Sequence, residues 1–141
     1  MQQSYAEAAR LFKLAADQGY PNAQSNLGFS YQNGEGVQQS YAEAARLYKL
    51  ATDQGNTFGQ NNLGYLYEIG QGVQQSYAEA SRLYKLAADR GLSSAQSNLG
   101  RLYENGQGVP QSRAEAVRLY KLAAAGGSAI AKAKLATLGE Q

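Results

Sequence analysis

The side chains of this chain that could do chemistry are carboxylates, amines, hydroxyls and amides, because its 141 residues include no histidine and no cysteine. That composition excludes thiol catalysis, histidine general bases, disulfides and ordinary zinc sites. The remaining types are not arranged for catalysis: the sequence has no Ser-x-x-Lys motif, no P-loop and no cluster of paired carboxylates. We therefore expect no enzyme, no cofactor and no metal site. Recognition of another molecule is the chemistry that is left.

Candidates for recognition are aromatic, amide and arginine side chains at positions that differ between similar stretches of the chain. Aromatic and arginine residues dominate binding energy at protein interfaces, and Arg101 can pair with a carboxylate. The predicted partner-binding residues are Asn22, Ser25, Phe29, Phe58, Asn61, Tyr65, Glu68, Ser97 and Arg101. The alternative interpretation is that these are solvated helix residues without a ligand.

One segment recurs at a fixed spacing and organises the whole chain. SYAEAARLFKLAADQG begins at Ser4, and close copies begin at Ser40, Ser76 and Ser112, each 36 residues after the last. A period in this range predicts an array of units that bury their apolar faces only against their neighbours.

Each copy of the segment predicts a helix, which we name a B helix. Ser40 is followed three residues later by Glu43, the pattern of a capping box, and Gly55 can take the left-handed conformation that ends a helix. The equivalent residues of the other copies follow the same pattern. One leucine per copy falls on the polar side of the helix. These leucines either pack into the next helix pair, which we expect, or form an apolar row on the outside. These leucines are Leu14, Leu50, Leu86 and Leu122.

A second predicted helix, the A helix, follows each B helix. It runs NAQSNLGFSYQNG from Asn22, with related copies from Phe58 and Ser94. Glycine in a helix interior costs about 1 kcal/mol relative to alanine, yet the same mid-helix position is glycine in all three copies. We therefore expect a neighbouring helix to cross too closely for a side chain, with small B-helix residues such as Ala44 and Ala45 as partners. The three glycines are Gly28, Gly64 and Gly100.

These patterns predict a single array of about eight helices over residues 1–141. Because Met1 takes the place of Val37, the array begins with a B helix that has no A helix before it. The predicted parts are an N-terminal B helix over 1–19, repeats over 20–55, 56–91 and 92–127, and a C-terminal capping A helix over 128–141.

Charge and hydropathy limit the classes of partner. A net charge of +2 is too small for a nucleic-acid-binding face. Because Glu7 lies three residues before Arg10, and the other copies keep this spacing, we interpret the basic stripe of the B helices as a locally paired, solvated face. No signal peptide and no membrane-spanning run is evident, so we expect a cytoplasmic protein if the chain is complete.

The period, the string AxxLGxxYxxGxGV and the AEAxxLYKxAAxQG-like helix together resemble the Sel-one-like repeat family, relatives of tetratricopeptide repeats. The residues that carry the resemblance are Ala23, Leu27, Gly28, Tyr31, Gly34, Gly36, Val37, Ala44, Tyr48, Ala51 and Gly55, with their equivalents one and two periods on. The resemblance implies an all-α fold, a right-handed α-solenoid superhelix of antiparallel helix pairs whose A helices line a concave groove. It also implies a scaffold or adaptor for protein complexes. Secreted members with a cysteine pair in each repeat differ from this cysteine-free chain, and no activity of theirs is carried over.

The leading hypothesis is therefore a protein- or peptide-binding module, with no nucleic acid and no membrane as partner. An alternative is self-association, in which the two ends of the array meet head to tail in a weak homo-oligomer. A third is a designed or excised repeat fragment without a partner of its own.

Overall fold

A computed structural model describes residues 2–140, and every regular element in that range is an α-helix. The prediction that Met1 takes the place of Val37 concerns a residue outside the described range. The B helices are α1 (Gln2–Asp17), α3 (Tyr41–Asp53), α5 (Tyr77–Asp89) and α7 (Arg113–Ala125). The A helices are α2 (Pro21–Asn33), α4 (Thr57–Ile69), α6 (Ser93–Asn105) and α8 (Ala129–Thr137). The all-α class and the alternation of B and A helices are confirmed.

The helices form two compact units, one up to Gln75 and one from Ser76. In the first unit α2 packs against α1 and α3, and α4 packs against α3 and α2. In the second unit α6 packs against α5 and α7, and α8 packs against α7. None of the helices within residues 2–140 is both long and apolar enough to cross a bilayer.

Serine hydroxyls cap three of the four B helices. The Ser40 hydroxyl accepts a hydrogen bond of 3.1 Å from the Glu43 amide, and Ser76 and Ser112 cap α5 and α7 in the same way. A capping box also implies a bond from the Ser40 amide to the Glu43 carboxylate, and this expectation was wrong. The Ser40 amide donates instead to the Tyr31 carbonyl at 2.8 Å, and the Glu43 carboxylate accepts from Arg46. Ser4 was also wrongly predicted as a cap, because α1 begins two residues before it.

Replacing Ser40 by alanine should lower the free energy of unfolding by about 1 kcal/mol, because the Glu43 amide loses its acceptor. The matched control is Ser4→Ala, since Ser4 lies inside α1 and is exposed. Urea unfolding followed by circular dichroism measures both. Equal losses in the two variants would contradict a capping role for Ser40.

Each unit has a core in which B-helix tyrosines are enclosed by A helices. Tyr48 and Tyr120 are completely buried. The Tyr48 hydroxyl donates to the Gln32 side-chain oxygen at 2.6 Å, and the Tyr120 hydroxyl donates to the Glu104 carboxylate at 2.7 Å. These bonds hold the phenol groups in place and satisfy their polar atoms.

The predicted close crossing at the mid-helix glycines is present in both units. A Cβ atom built on Gly28 would lie 2.7 Å from the Tyr48 ring, and one on Gly100 would lie 2.9 Å from the Tyr120 ring. The closest atoms belong to these tyrosine rings, which were not the expected partners. Of the small B-helix residues that were expected there, Ala44 makes a contact through its carbonyl oxygen, 3.3 Å from the Cβ built on Gly28.

The four leucines on the polar side of the B helices do not pack into a neighbouring helix pair. Their exposed fractions are 53% for Leu14, 40% for Leu50, 41% for Leu86 and 45% for Leu122. The expectation of burial was wrong because in α3, α5 and α7 the leucine three residues earlier already fills the interhelical contact, as Leu47 does in α3. Each B helix therefore presents an apolar side chain to solvent.

Candidate functional site

In the first unit the predicted recognition face lies on α2 and α4, two A helices that contact each other. Three aromatic side chains on this face are substantially exposed: Phe29 at 47%, Phe58 at 53% and Tyr65 at 42%. Asn22 is also exposed, and it lies two helical turns before Phe29 on the same face of α2. The face thus combines aromatic surface with an amide.

Two further predicted residues of α4, Asn61 and Glu68, are only partly exposed and already have polar or electrostatic interactions. Gln32 occupies the position of Glu68 one repeat earlier and accepts the Tyr48 hydroxyl. Glu104 occupies it one repeat later and accepts the Tyr120 hydroxyl. This position therefore supports a buried tyrosine in each unit, a role that competes with contact to a partner.

Ser25 and Ser97 were expected on the exposed face but are buried, with exposed fractions of 3% and 7%. The Ser25 hydroxyl donates to the Asn56 side-chain oxygen at 2.7 Å, and the Ser97 and Ser128 hydroxyls lie 3.1 Å apart. The expectation of exposure was wrong because this position meets the N-cap of the following A helix. Both serines therefore join consecutive A helices, and neither lies on the exposed face.

Asn56 closes the space between α2 and α4. Its side-chain oxygen accepts from the Gly59 amide at 2.8 Å, and its side-chain nitrogen donates to Asn22 at 2.7 Å. Gln54, at the end of α3, adds a bond of 2.8 Å to the buried Gln24. Amide side chains thus fill the junction of the two helices in the first unit.

In the second unit the corresponding junction between α6 and α8 is open and contains a cavity of about 400 Å³. Its walls come from one face of α6, from the turn after α7, from the Tyr120 ring and from α8. The principal lining residues are Ser94, Ser97, Asn98, Arg101, Ile130 and Lys134. Ser97 and Arg101 were predicted as site residues, whereas Ile130 and Lys134 were not.

Three smaller residues account for the opening. The comparison is with the α2–α4 junction, two repeats earlier. Ser94 takes the position of Asn22, Ser128 that of Asn56, and Gly126 that of Gln54. The hydroxyl of Ser128 still caps α8 through the Ala131 amide at 3.1 Å, but its side chain is shorter than that of Asn56. A comparison of the repeats position by position could have revealed this loss of volume.

The cavity carries positive charge on both helical walls. Arg101 lies on α6 and Lys134 on α8, and no carboxylate is among the lining residues. Glu104 lies outside the lining and pairs with Lys134 at 3.7 Å. Burial, together with the bond to Glu104, raises the pKa of Tyr120, while the nearby Arg101 charge acts to lower it. The floor of the cavity is therefore a neutral phenol beneath two cations.

The basic residues of the B helices are paired, as their spacing predicts. Arg10 bonds Glu7 and Arg46 bonds Glu43 at i,i+3 spacing, and Lys13 lies 3.3 Å from Asp17. The pKa of Glu43 is lowered chiefly because Arg46 donates hydrogen bonds to its carboxylate. The expected local pairing of the basic stripe is therefore present in these helices.

Among residues 2–140 no group of acidic side chains is arranged to hold a metal ion. What the site offers is recognition surface: exposed aromatics with an amide in the first unit, and a cationic, partly apolar cavity in the second.

The Sel1 repeat pattern matches residues 1–20, 21–56, 57–92 and 93–128, each boundary one residue later than the repeats predicted above. No curated protein matches the chain at a significant level. A similar solved structure is c5321, a protective antigen present in uropathogenic Escherichia coli strains that displays an SLR fold. It is 41% identical with a TM-score of 0.81, over 85% of this chain and 26% of c5321, so the chain spans a minor part of that protein.

A Sel1 repeat protein from Oxalobacter formigenes is 38% identical, with a TM-score of 0.77 over 89% of this chain and 95% of that one. Helicobacter pylori cysteine rich protein B, at 24% identity and a TM-score of 0.69 over 90% of this chain and 96% of that one, shares the fold. Its name marks a contrast with this chain, which has no cysteine. Four matched repeats at 36-residue spacing, on alternating B and A helices, place the chain in the Sel1 repeat family.

Proposed function

We propose that the chain is a non-catalytic interaction module that binds a peptide or protein segment along the exposed faces of its A helices. The observation that carries the proposal is the set of three exposed aromatics on α2 and α4, namely Phe29, Phe58 and Tyr65. Single exposed apolar residues are ordinary on protein surfaces. Three aromatics on adjoining helices form the kind of surface that proteins use for recognition.

The residues beside these aromatics suit a peptide. Asn22 is exposed on the same face as Phe29, and its side-chain oxygen already accepts a hydrogen bond from Asn56, so its amide group is held in place. An oriented amide can donate to a peptide carbonyl with little loss of side-chain entropy. The family supports the same class of function, because Sel1 repeat proteins are generally scaffolds for protein interactions.

Head-to-tail self-association in repeat register is the less favourable alternative. A second copy would have to place its α1, with Phe12 in the position of Tyr120, against α8 of the first copy. The α8 residue at the position of Gly100 is Ala136, and a Cβ atom at Gly100 would lie 2.9 Å from the Tyr120 ring. The methyl group of Ala136 therefore obstructs a crossing like those at Gly28 and Gly100.

The proposal predicts that binding depends on the aromatics of α4. Peptides selected from a random display library on the whole chain should lose at least about thirtyfold in affinity when Phe58→Ser and Tyr65→Ser are combined, since aromatic hot spots contribute about 2 kcal/mol or more. Fluorescence anisotropy of the labelled peptides measures the dissociation constants. Because both side chains are exposed, we expect the melting temperature to stay unchanged.

The matched control combines Leu14→Ser with Leu50→Ser, which removes exposed apolar side chains from the B helices of the same unit. This control should leave affinity unchanged. Loss of binding in the control but not in the α4 variant would overturn the proposal, as would a library that yields no specific peptide.

A further inference from the structure

We propose that the cavity between α6 and α8 binds an acidic side chain of a peptide segment together with the aliphatic side chain beside it. This inference rests on the proposed function and names the chemistry that one part of the surface selects. The volume of the cavity, about 400 Å³, lies within the range of about 300–1,000 Å³ that is usual for ligand sites.

The charge of the cavity selects a carboxylate. Arg101 and Lys134 line it from opposite helices, and no acidic residue lines it with them. The Glu104 carboxylate, which lies outside the cavity lining, accepts a hydrogen bond from the Tyr120 hydroxyl and lies 3.7 Å from the Lys134 amine. Arg101 also interacts with another residue, but its guanidinium carries five N–H donors and can bind a further acceptor. A ligand carboxylate that reaches Arg101 and Lys134 would form charge-assisted hydrogen bonds shorter than the 3.7 Å contact of Lys134 with Glu104.

The rest of the lining suits an aliphatic neighbour. Ile130 is the most exposed large hydrophobic residue of the described chain, at 69%, and it lies on the wall of the cavity. Gly126 and Gly127 add backbone surface without side chains. An aliphatic side chain that covers Ile130 would remove apolar area from water, which favours binding.

The same features are missing from the corresponding junction of the first unit. Phe29 stands there in the position of Arg101, and Asn62 in the position of Lys134. The Asn56–Asn22 hydrogen bond occupies the space that is open in the second unit. The cavity is therefore a departure from the repeat pattern, made by several substitutions that act together.

The test is a titration of the ¹⁵N-labelled whole chain with short peptides at low salt, followed by amide chemical shifts. The first peptide is acetyl-GELG-amide, which offers an internal glutamate next to a leucine. We expect it to shift the amides of α6 and of the segment from Gly126 to Lys134. Acetyl-GQLG-amide, which lacks the charge, and acetyl-GEGG-amide, which lacks the aliphatic group, should each bind about fivefold or more weakly.

Variants of the chain separate the site from the general surface. Arg101→Gln and Lys134→Gln should each weaken the glutamate peptide about fivefold, while Lys132→Gln, an exposed charge on α8 outside the cavity, should have no effect. Ser94→Asn combined with Ser128→Asn copies the Asn22–Asn56 pair and should close the cavity. That double variant should lose the peptide shifts while its melting temperature stays the same or rises, which excludes unfolding as the cause.

Two results would overturn the inference. One is an unchanged set of shifts in the cavity-closing variant. The other is binding only of acetyl-GGL with a free terminal carboxylate, which would assign the cavity to chain ends instead of internal acidic residues. Failure here leaves the proposed function standing if library peptides still depend on Phe58 and Tyr65, so the two proposals fail independently.

Discussion

Leucine in place of Gly28 should lower the free energy of unfolding by about 3 kcal/mol or more and the melting temperature by about 10 °C. A single Cβ atom at this position already meets the Tyr48 ring at 2.7 and 2.8 Å and the Ala44 carbonyl oxygen at 3.3 Å. Helix propensity acts in the opposite direction, because leucine favours a helix over glycine by up to about 1 kcal/mol. The steric overlap outweighs this gain, so the free energy of unfolding falls.

The Tyr48 ring cannot move aside at low cost. It is fully buried, and its hydroxyl is bonded to Gln32 at 2.6 Å, so a rotation would break that bond and leave polar atoms unpaired in the core. The Ala44 oxygen belongs to the backbone of α3 and is equally fixed. The overlap must therefore separate α2 from α3.

Thermal melts followed by circular dichroism measure the effect. Asn26→Leu is the matched control, because Asn26 lies two residues earlier in the same helix and is exposed. We expect this control to melt with the parent. Tyr48→Ala should restore part of the loss in the Gly28→Leu background if the ring is the obstacle. A Gly28→Leu variant that melts like the parent would refute the close crossing.

Periodic features were the ones that sequence could predict. The spacing of Ser40 and its equivalents marked the starts of α3, α5 and α7, and the glycines after each helix marked the ends, because caps depend on local backbone chemistry. The glycine at position 28 likewise indicated close packing. Which atom fills the contact depends on the rotation of α3 about its axis, so the Tyr48 ring was not foreseen.

The recognition surface was predictable only in part for a related physical reason. On a helical wheel Ser25 and Phe29, four residues apart, fall on the same outward side of α2. In the structure the following A helix covers Ser25 but leaves Phe29 exposed. The cavity beside Arg101 arises from volume lost at Ser94, Gly126 and Ser128 together. No single position indicates the cavity, whereas an alignment of the repeats against one another reveals the combined loss of volume.

Alkaline pH should destabilise the chain progressively above about pH 10, because Tyr48 and Tyr120 are buried as neutral phenols. Burial raises the pKa of both groups, and the bond from Tyr120 to the Glu104 carboxylate raises the pKa of Tyr120 further. In the unfolded chain the same groups ionise near pH 10. The unfolded state then binds fewer protons than the folded state, so the stability that is complete below pH 10 falls as the pH rises.

The expected slope is about 1.4 kcal/mol per pH unit for each such tyrosine, as long as the folded state keeps it protonated. Tyrosinate absorbance and circular dichroism, recorded together, separate two populations among the eleven tyrosines of the chain. Exposed tyrosines should ionise with no loss of helix. The buried ones should ionise only in the step in which helical signal is lost.

The variant that tests this assignment combines Tyr48→Phe with Tyr120→Phe. It loses two hydrogen bonds and should be less stable at neutral pH by about 1 kcal/mol for each, so the comparison is made on the slope of stability against pH and not on its absolute value. That slope should become shallower above pH 10. Tyr20→Phe, at a tyrosine that is 60% exposed, should keep the parent slope. An unaltered slope in the double variant would mean that other groups cause the alkaline transition, and that the buried phenols contribute packing but no pH dependence.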